Sequence, residues 1–216
     1  MTARPGRVVL VDSGVDPEHP GLAGLLDIGK VLCATPDGDL VEEPRARDGL
    51  GHGTAVAATL VAHTGRLPLT VVRVFDHEPR CSTRQLLAAL AFAESQAPAL
   101  VNVSLGILDA SAADALAQAI LRLRQQGCRV VAPLTANGVP CLPGTVAEVD
   151  AVVADPACAR GSPRQEPHGQ RTVWRASPEP PPGIPGLPPT LIRGDSLAVA
   201  EVSAHLWNQP WPTPGG

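Results

Sequence analysis

Residues 7–14, RVVLVDSG, contain the unbroken apolar run Val8-Val9-Leu10-Val11, stopped by Asp12-Ser13-Gly14. A short run without polar alternation reads as a strand covered on both faces, and an Asp-Ser-Gly stop reads as its exit into a loop. The pattern returns at residues 69–75 (LTVVRVF), 99–103 (ALVNV), 129–132 (RVVA) and 149–154 (VDAVVA). Between these runs lie helical stretches: an Ala-rich one over 54–63, one over 83–96 behind the cap residue Ser82, and one over 111–126 that stops at Gly127. Alternating strand and helix predict an α/β fold, a doubly wound parallel β-sheet flanked by helices, in a single domain.

The composition agrees with one packed core. The chain has 216 residues, 44% hydrophobic and 18% charged, which excludes disorder throughout. Its 17 basic and 21 acidic residues form no long runs, so no basic stripe is available for a nucleic acid, and no nucleic-acid partner is expected. No apolar stretch approaches the ~20 residues that cross a bilayer, and the start MTARPGRVVLVDSG lacks a secretion signal, so the expectation is a soluble, cytoplasmic chain without a membrane partner. Five cysteines, Cys33, Cys81, Cys128, Cys141 and Cys158, are odd in number and scattered, and read as small hydrophobes rather than ligands or disulfides. Neither a metal nor a cofactor is implied.

Beyond Ala154 the character changes. Residues 155–193 have few periodic apolar positions, and Pro178, Pro180, Pro181, Pro182, Pro185, Pro188 and Pro189 crowd together. Proline at that density excludes a regular helix or central strand, so 155–193 reads as a long surface loop inside a domain spanning 1–208. Its proline-rich stretch, Pro178 to Pro189, is either a docking surface for a partner or leader peptide or a rigid excursion. Residues 209–216 read as an extended tail.

Three motifs carry side chains suited to chemistry. Asp12 ends the first strand, where open α/β sheets place their sites, although alone it could serve an Asx turn. His52, in Gly51-His52-Gly53-Thr54, stands at a helix start, where the dipole disfavours a charged imidazole; alone it could be a turn residue. Ser196, in Gly194-Asp195-Ser196-Leu197, opens an apolar helix running to about Trp207; alone it could be an N-cap. Together they supply a carboxylate, a base and a hydroxyl. A hydroxyl becomes a nucleophile when an imidazole takes its proton and a carboxylate holds that imidazole in the right tautomer. His19 sits in the loop after Asp12, where it could line the cleft; His63, His77, His168 and His205 have no constellation around them, and Trp174, Trp207 and Trp211 read as packing residues.

The chain order Asp, His, Ser is the subtilisin order, and VLVDSGVDPEHPGL, DGLGHGTAVAATL, VNVSLG and GDSLAVAEVSA together resemble the motifs of the subtilisin-like serine proteases. The resemblance implies Ser196 as nucleophile, His52 as general base and then acid, Asp12 as the orienting carboxylate and Asn137 as an oxyanion donor. It also implies that Ser104, Leu105 and Gly106 pair with an extended peptide and that Leu134, Thr135 and Ala136 form a wall of the pocket before the scissile bond. Pro133-Leu134 and Ala136 are larger than the usual residues, so a narrowed pocket favouring small side chains is expected.

The usual Gly-Thr-Ser has become Gly194-Asp195-Ser196, which puts a carboxylate beside the nucleophile. An anion there opposes oxyanion formation unless it is turned away or paired. This keeps open a second reading, a peptide-binding module that turns over slowly or never. Gly-Asp-Ser-Leu is also the signature of a family of esterases, but theirs opens the chain, whereas this one begins at residue 194. The short chain and the absence of a preceding prodomain resemble compact leader peptidases, including the type accompanying quinohemoprotein amine dehydrogenase maturation. That narrower resemblance implies a cytoplasmic maturation protease acting on a specific peptide or protein, possible partners being a modified precursor peptide and its modifying enzymes.

Overall fold

The computed structural model describes residues 6–75, 78–181 and 194–210. In chain order its elements are β1 (Val8–Asp12), β2 (Leu26–Ala34), β3 (Leu40–Glu42), α1 (His52–Thr64), β4 (Leu67–Arg73), α2 (Thr83–Gln96), β5 (Leu100–Val103), α3 (Ala113–Gln125), β6 (Arg129–Pro133), β7 (Thr135–Ala136), β8 (Val139–Pro140), β9 (Asp150–Ala154), β10 (Arg164–His168), β11 (Arg171–Ala176) and α4 (Asp195–Asn208).

Nine strands form one sheet in the order β10-β11-β9-β6-β5-β1-β4-β2-β3. The strand that opens the sequence argument lies in its middle. Val8 registers with Leu69 of β4 on one side and Leu100 of β5 on the other, both parallel. Every residue of β1 is buried. Because successive strand residues point to opposite faces, Val8 and Leu10 join a core with Leu60 of α1 and Val199 of α4, whereas Val9 and Val11 join one with Leu90 of α2 and Ile120 of α3. Helices therefore cover both faces, as the unbroken apolar run requires. Truncating Leu10 to Ala would cost about 2–5 kcal/mol.

The helices start and stop on local signals. Ser82 Oγ accepts the Gln85 N–H at 3.2 Å while Gln85 Oε1 accepts the Ser82 N–H at 3.0 Å, a reciprocal cap on α2. The chain winds from β1 toward β2 and β4 on one side and later returns to place β5 on the other. The resulting switch point opens a crevice beyond the C-terminal ends of β1 and β5.

Residues 155–181 differ from the expected surface loop. β10 and β11 form an antiparallel hairpin, and β11 pairs parallel with β9, Trp174 opposite Val152. Val173 and Trp174 bury on the sheet, while Glu166 ties the hairpin by accepting from Arg164 at 2.8 Å and by its ion pair with Arg175, 2.5 Å from Nε. Alternation too short and too charged to register as a pattern is enough once a parallel neighbour supplies the hydrogen bonds. β2 and β3, half exposed, went unmarked for the same reason. Of the proline stretch, Pro182, Pro185, Pro188 and Pro189 lie outside the described residues, as do His77, Trp211 and residues 211–216 of the expected tail.

Candidate active site

Asp12 is the last residue of β1 and is fully buried. Its Oδ1 accepts the Ser13 N–H at 2.6 Å and lies 2.7 Å from His52 Nδ1. A carboxylate only accepts, so Nδ1 carries the imidazole proton and Nε2 is left as the basic nitrogen. Asp12 Oδ2 is buried without a hydrogen-bond partner among the described residues, so its charge is felt chiefly by the ring. The Asp12 charge accordingly raises the His52 pKa; burial opposes it, and the Asp12 hydrogen bond and the charge of Asp48 add to it.

Asp48 positions this pair, and sequence reasoning missed it. Its Oδ1 accepts from Ser13 Oγ at 2.8 Å, from Leu50 N–H at 3.0 Å and from Gly51 N–H at 2.8 Å. Its Oδ2 accepts from Thr54 N–H at 2.8 Å and Thr54 Oγ at 2.6 Å. The residue at the N-cap of α1 is Gly51, which has no side chain to cap with, so Asp48 satisfies the open amides from the preceding loop. The signal was an acidic residue shortly before a helix that begins without a capping side chain. Gly53 completes the joint: a Cβ there would stand 2.0 Å from Gly14 O, so only glycine lets α1 meet the loop after β1.

Ser196 stands in the first turn of α4, behind Gly194 at φ 130°. Its Oγ donates to Ser104 O at 3.0 Å. Ser104 Oγ donates to Asn102 Oδ1 at 2.6 Å, and Asn102 Nδ2 donates to Ser203 Oγ at 2.9 Å, so a buried network binds α4 to the end of β5.

His52 and Ser196 face one cleft of about 430 Å³. Ser104, Leu105, Gly106, Thr135, Ala136 and Asn137 all line it. Among the described residues Leu105 and Gly106 make no backbone hydrogen bonds, which leaves their amide and carbonyl groups for an added strand. Leu134 is not brought to the cleft. It is buried against Ala151 and Val173, and its neighbour Pro133 takes its place in the lining. Phe75, Pro79 and Cys81 also line the cleft, Phe75 meeting the His52 ring edge-on with centroids 6.4 Å apart; the sequence offered no motif for these three. Burial pushes the Cys81 thiol up to about 12.

Asn137 owes its position to a turn. Asn137 and Gly138 join β7 to β8 at φ 52° and 79°, the Asn-Gly pattern of a tight hairpin whose two corner residues are left-handed. Among the other histidines, His63 Nε2 lies 2.9 Å from Glu201 Oε1, and His205 packs on Trp174 with centroids 5.3 Å apart. No group of three or more metal-ligating side chains occurs among the described residues, and none of their helices is long and apolar enough to cross a membrane.

The subtilase family, Peptidase S8, matches residues 7–160, more than half of the chain, a span that includes Asp12 and His52 and ends before Ser196. No curated protein sequence matches. Among solved structures, the S41 psychrophilic protease aligns with a TM-score of 0.68 at 18% identity, over 92% of this chain and 74% of the other. A cold-adapted subtilisin-like serine proteinase aligns with a TM-score of 0.64 at 18% identity, over 92% of this chain and 72% of the other. At these identities the structures speak for the fold, while the match over 7–160 speaks for the family. The chain therefore belongs to the subtilase family and is a serine protease of the subtilisin type.

Proposed function

We propose that this subtilase cleaves peptide bonds through an acyl-enzyme on Ser196, with His52 as base and then acid, Asp12 holding the imidazole, and Asn137 and the Ser196 N–H donating to the oxyanion. The observation that carries the reading is the 2.7 Å contact of Asp12 with His52, facing the same cleft as Ser196. A peptide adding to Leu105-Gly106 as a strand brings its carbonyl carbon to Ser196. The hydroxyl leaves the Ser104 carbonyl, gives its proton to His52 Nε2 and forms the C–O bond. The imidazolium, stabilised by Asp12, then protonates the departing amine. Water repeats the sequence with the roles reversed and releases the acid. The Ser196 N–H lies in the first turn of α4, where amides have no intrahelical acceptor, which suits an oxyanion donor.

The role is maturation of one peptide or protein, by removal of a leader or pro-segment in the cytoplasm, rather than general digestion. The support is a tight cleft, hemmed by Pro133 and Ala136, and the thiols of Cys81, Cys128, Cys141 and Cys158, which suit a reducing compartment. A modified precursor peptide and the enzymes that modify it are the partners this role implies. The test is mass spectrometry after treatment with a fluorophosphonate. One adduct on Ser196, lost in Ser196→Ala and in His52→Ala, is expected. Folded protein that takes up no adduct between pH 7 and 9 would overturn the reading in favour of a binding module, which the Ser196 bond to Ser104 in place of His52 would then explain.

A further inference from the structure

Gly106 and Ala136 are tied together through a third segment behind the cleft surface. Ile107, next to Gly106, donates its N–H to Leu142 O at 2.8 Å and accepts the Leu142 N–H at 2.9 Å. Leu134 O accepts the Cys141 N–H at 3.1 Å, and β7 pairs with β8 so that Ala136 stands opposite Val139. Residues 139–142 are thereby bonded to the segment holding Gly106 and to the segment holding Ala136, which fixes the spacing between the two.

Little space is left between them. A Cβ on Gly106 would collide with Cys141 Sγ and would stand 2.8 Å from Cys141 Cβ and 3.4 Å from Ala136 Cβ. Gly106 and Ala136 line the cleft that Ser196 faces, whereas Cys141 is 2% exposed and packs behind Gly106. Its thiol donates to Pro133 O at 3.4 Å. Burial, and after it the charge of Asp195, pushes this thiol up to about 11, so it stays neutral and acts as a small apolar filler. The sequence attributed a narrow pocket to Pro133, Leu134 and Ala136. Leu134 belongs to the core, and Cys141, which carried no motif, fills the space instead.

We infer that Ala136 at the cleft surface and Cys141 behind it form a plug that restricts the residue donating the scissile carbonyl to glycine. This inference rests on the assignment of Ser196 as nucleophile and deepens it by naming the bond that is cut. The peptide adds along Leu105-Gly106, with its carbonyl carbon at Ser196 and its carbonyl oxygen toward Asn137. The residue that carries that carbonyl then lies between Gly106 and Ala136, the neighbour of Asn137. A side chain there needs the volume that Ala136 Cβ and Cys141 Sγ occupy, and glycine needs none. The backbone bonds of Ile107 and Cys141 hold the two walls, so making room means breaking that pairing rather than turning a side chain.

The test compares diphenyl peptidyl phosphonates that differ only at the residue joined to phosphorus: glycine, alanine, leucine and phenylalanine. Ser196 Oγ attacks phosphorus, its proton passes to His52 and phenoxide leaves, so the labelling rate reads how that residue fits. In the unaltered protein the glycine probe should label ~10–200-fold faster than the alanine probe, the range set by one added carbon in a packed site, with leucine and phenylalanine slower still. Cys141→Gly combined with Ala136→Gly should raise the leucine-to-glycine ratio at least ~10-fold, whereas Cys141→Ser, which keeps the volume, should preserve the selectivity. Cys141→Ala removes only the sulfur; it should raise the alanine-to-glycine ratio, and it serves if the double variant does not fold. The glycine rate within each protein corrects for general effects of a substitution. If a small fluorophosphonate labels Ser196 but the leucine probe reacts with the unaltered protein as fast as the glycine probe, or the ratios stay unmoved in the folded variants, the plug is overturned and the protease reading stands. If no probe labels Ser196, the nucleophile assignment fails instead. The plug is then decided by nuclear magnetic resonance titration of the folded protein with peptides ending in glycine amide or leucine amide. Equal affinities would overturn it, and a glycine preference that weakens in Cys141→Ala would uphold it.

Discussion

Glu201 and His63 join the helix that carries Ser196 to the far end of the helix that carries His52. The Glu201 carboxylate is almost wholly buried, with Oε1 2.9 Å from His63 Nε2 and Oε2 accepting the Gly161 N–H at 2.6 Å. Each partner comes from a different part of the chain, so the contact sets how α4 lies along α1. Glu201→Ala strands two donors and opens a cavity, and should destabilise the fold by about 2–4 kcal/mol. Glu201→Gln, which keeps both oxygen and shape in part, should cost about 1 kcal/mol. Urea unfolding followed by circular dichroism checks this through the midpoint, with the slope unchanged.

The Asp12–His52 pair makes activity and stability depend on pH in opposite senses. The neutral imidazole is the base, and Asp12 raises its pKa above the ordinary 6.5, so kcat/KM should rise with a midpoint above that value. Because the folded-state pKa is raised, the pair's contribution to stability is complete below pH 6.5 and is lost as the pH climbs through the raised value. Asp12→Asn should lower kcat by roughly 10⁴-fold and move the activity midpoint down. An unmoved midpoint would separate Asp12 from the base.

Asn137 combines a turn role with the proposed donor role, and two substitutions separate them. Asn137→Gly keeps the left-handed corner at φ 52° and removes the amide donor. If the donor matters, the glycine variant should keep its melting temperature and lose about 10²–10³-fold in kcat. Asn137→Ala should lose a similar factor in kcat and also stability, because a Cβ disfavours the corner. A glycine variant with full kcat would leave Asn137 as a turn residue alone.

Gly53→Ala should damage catalysis through position. Its Cβ would stand 2.0 Å from Gly14 O and 3.1 Å from Asp12 Oδ1, so the start of α1 must move away from the loop after β1. A shift of about 1 Å in the imidazole is enough to cost ~10²-fold. The rate of fluorophosphonate labelling of Ser196 at fixed pH measures it.

Local chemistry was readable before any fold. The run Val8-Val9-Leu10-Val11 announced a strand covered on both faces, and Ser82 announced the start of α2. Asp12, His52 and Ser196 were legible because each stands within two residues of a glycine at an element edge and because their order along the chain is informative. What the chain could not state locally was anything made by two distant segments. The polar hairpin of β10 and β11 exists because β9 offers an edge. Leu134 turned out to be core because Ala151 and Val173 lie beneath it. Asp48 matters because the loop after β1 and the start of α1 arrive at the same carboxylate. Periodicity and turn chemistry are properties of neighbours in sequence, so they survive in one dimension. A cleft or a buried ion partner is a property of neighbours in space, and only the packing of α1, α4 and the sheet brought those together.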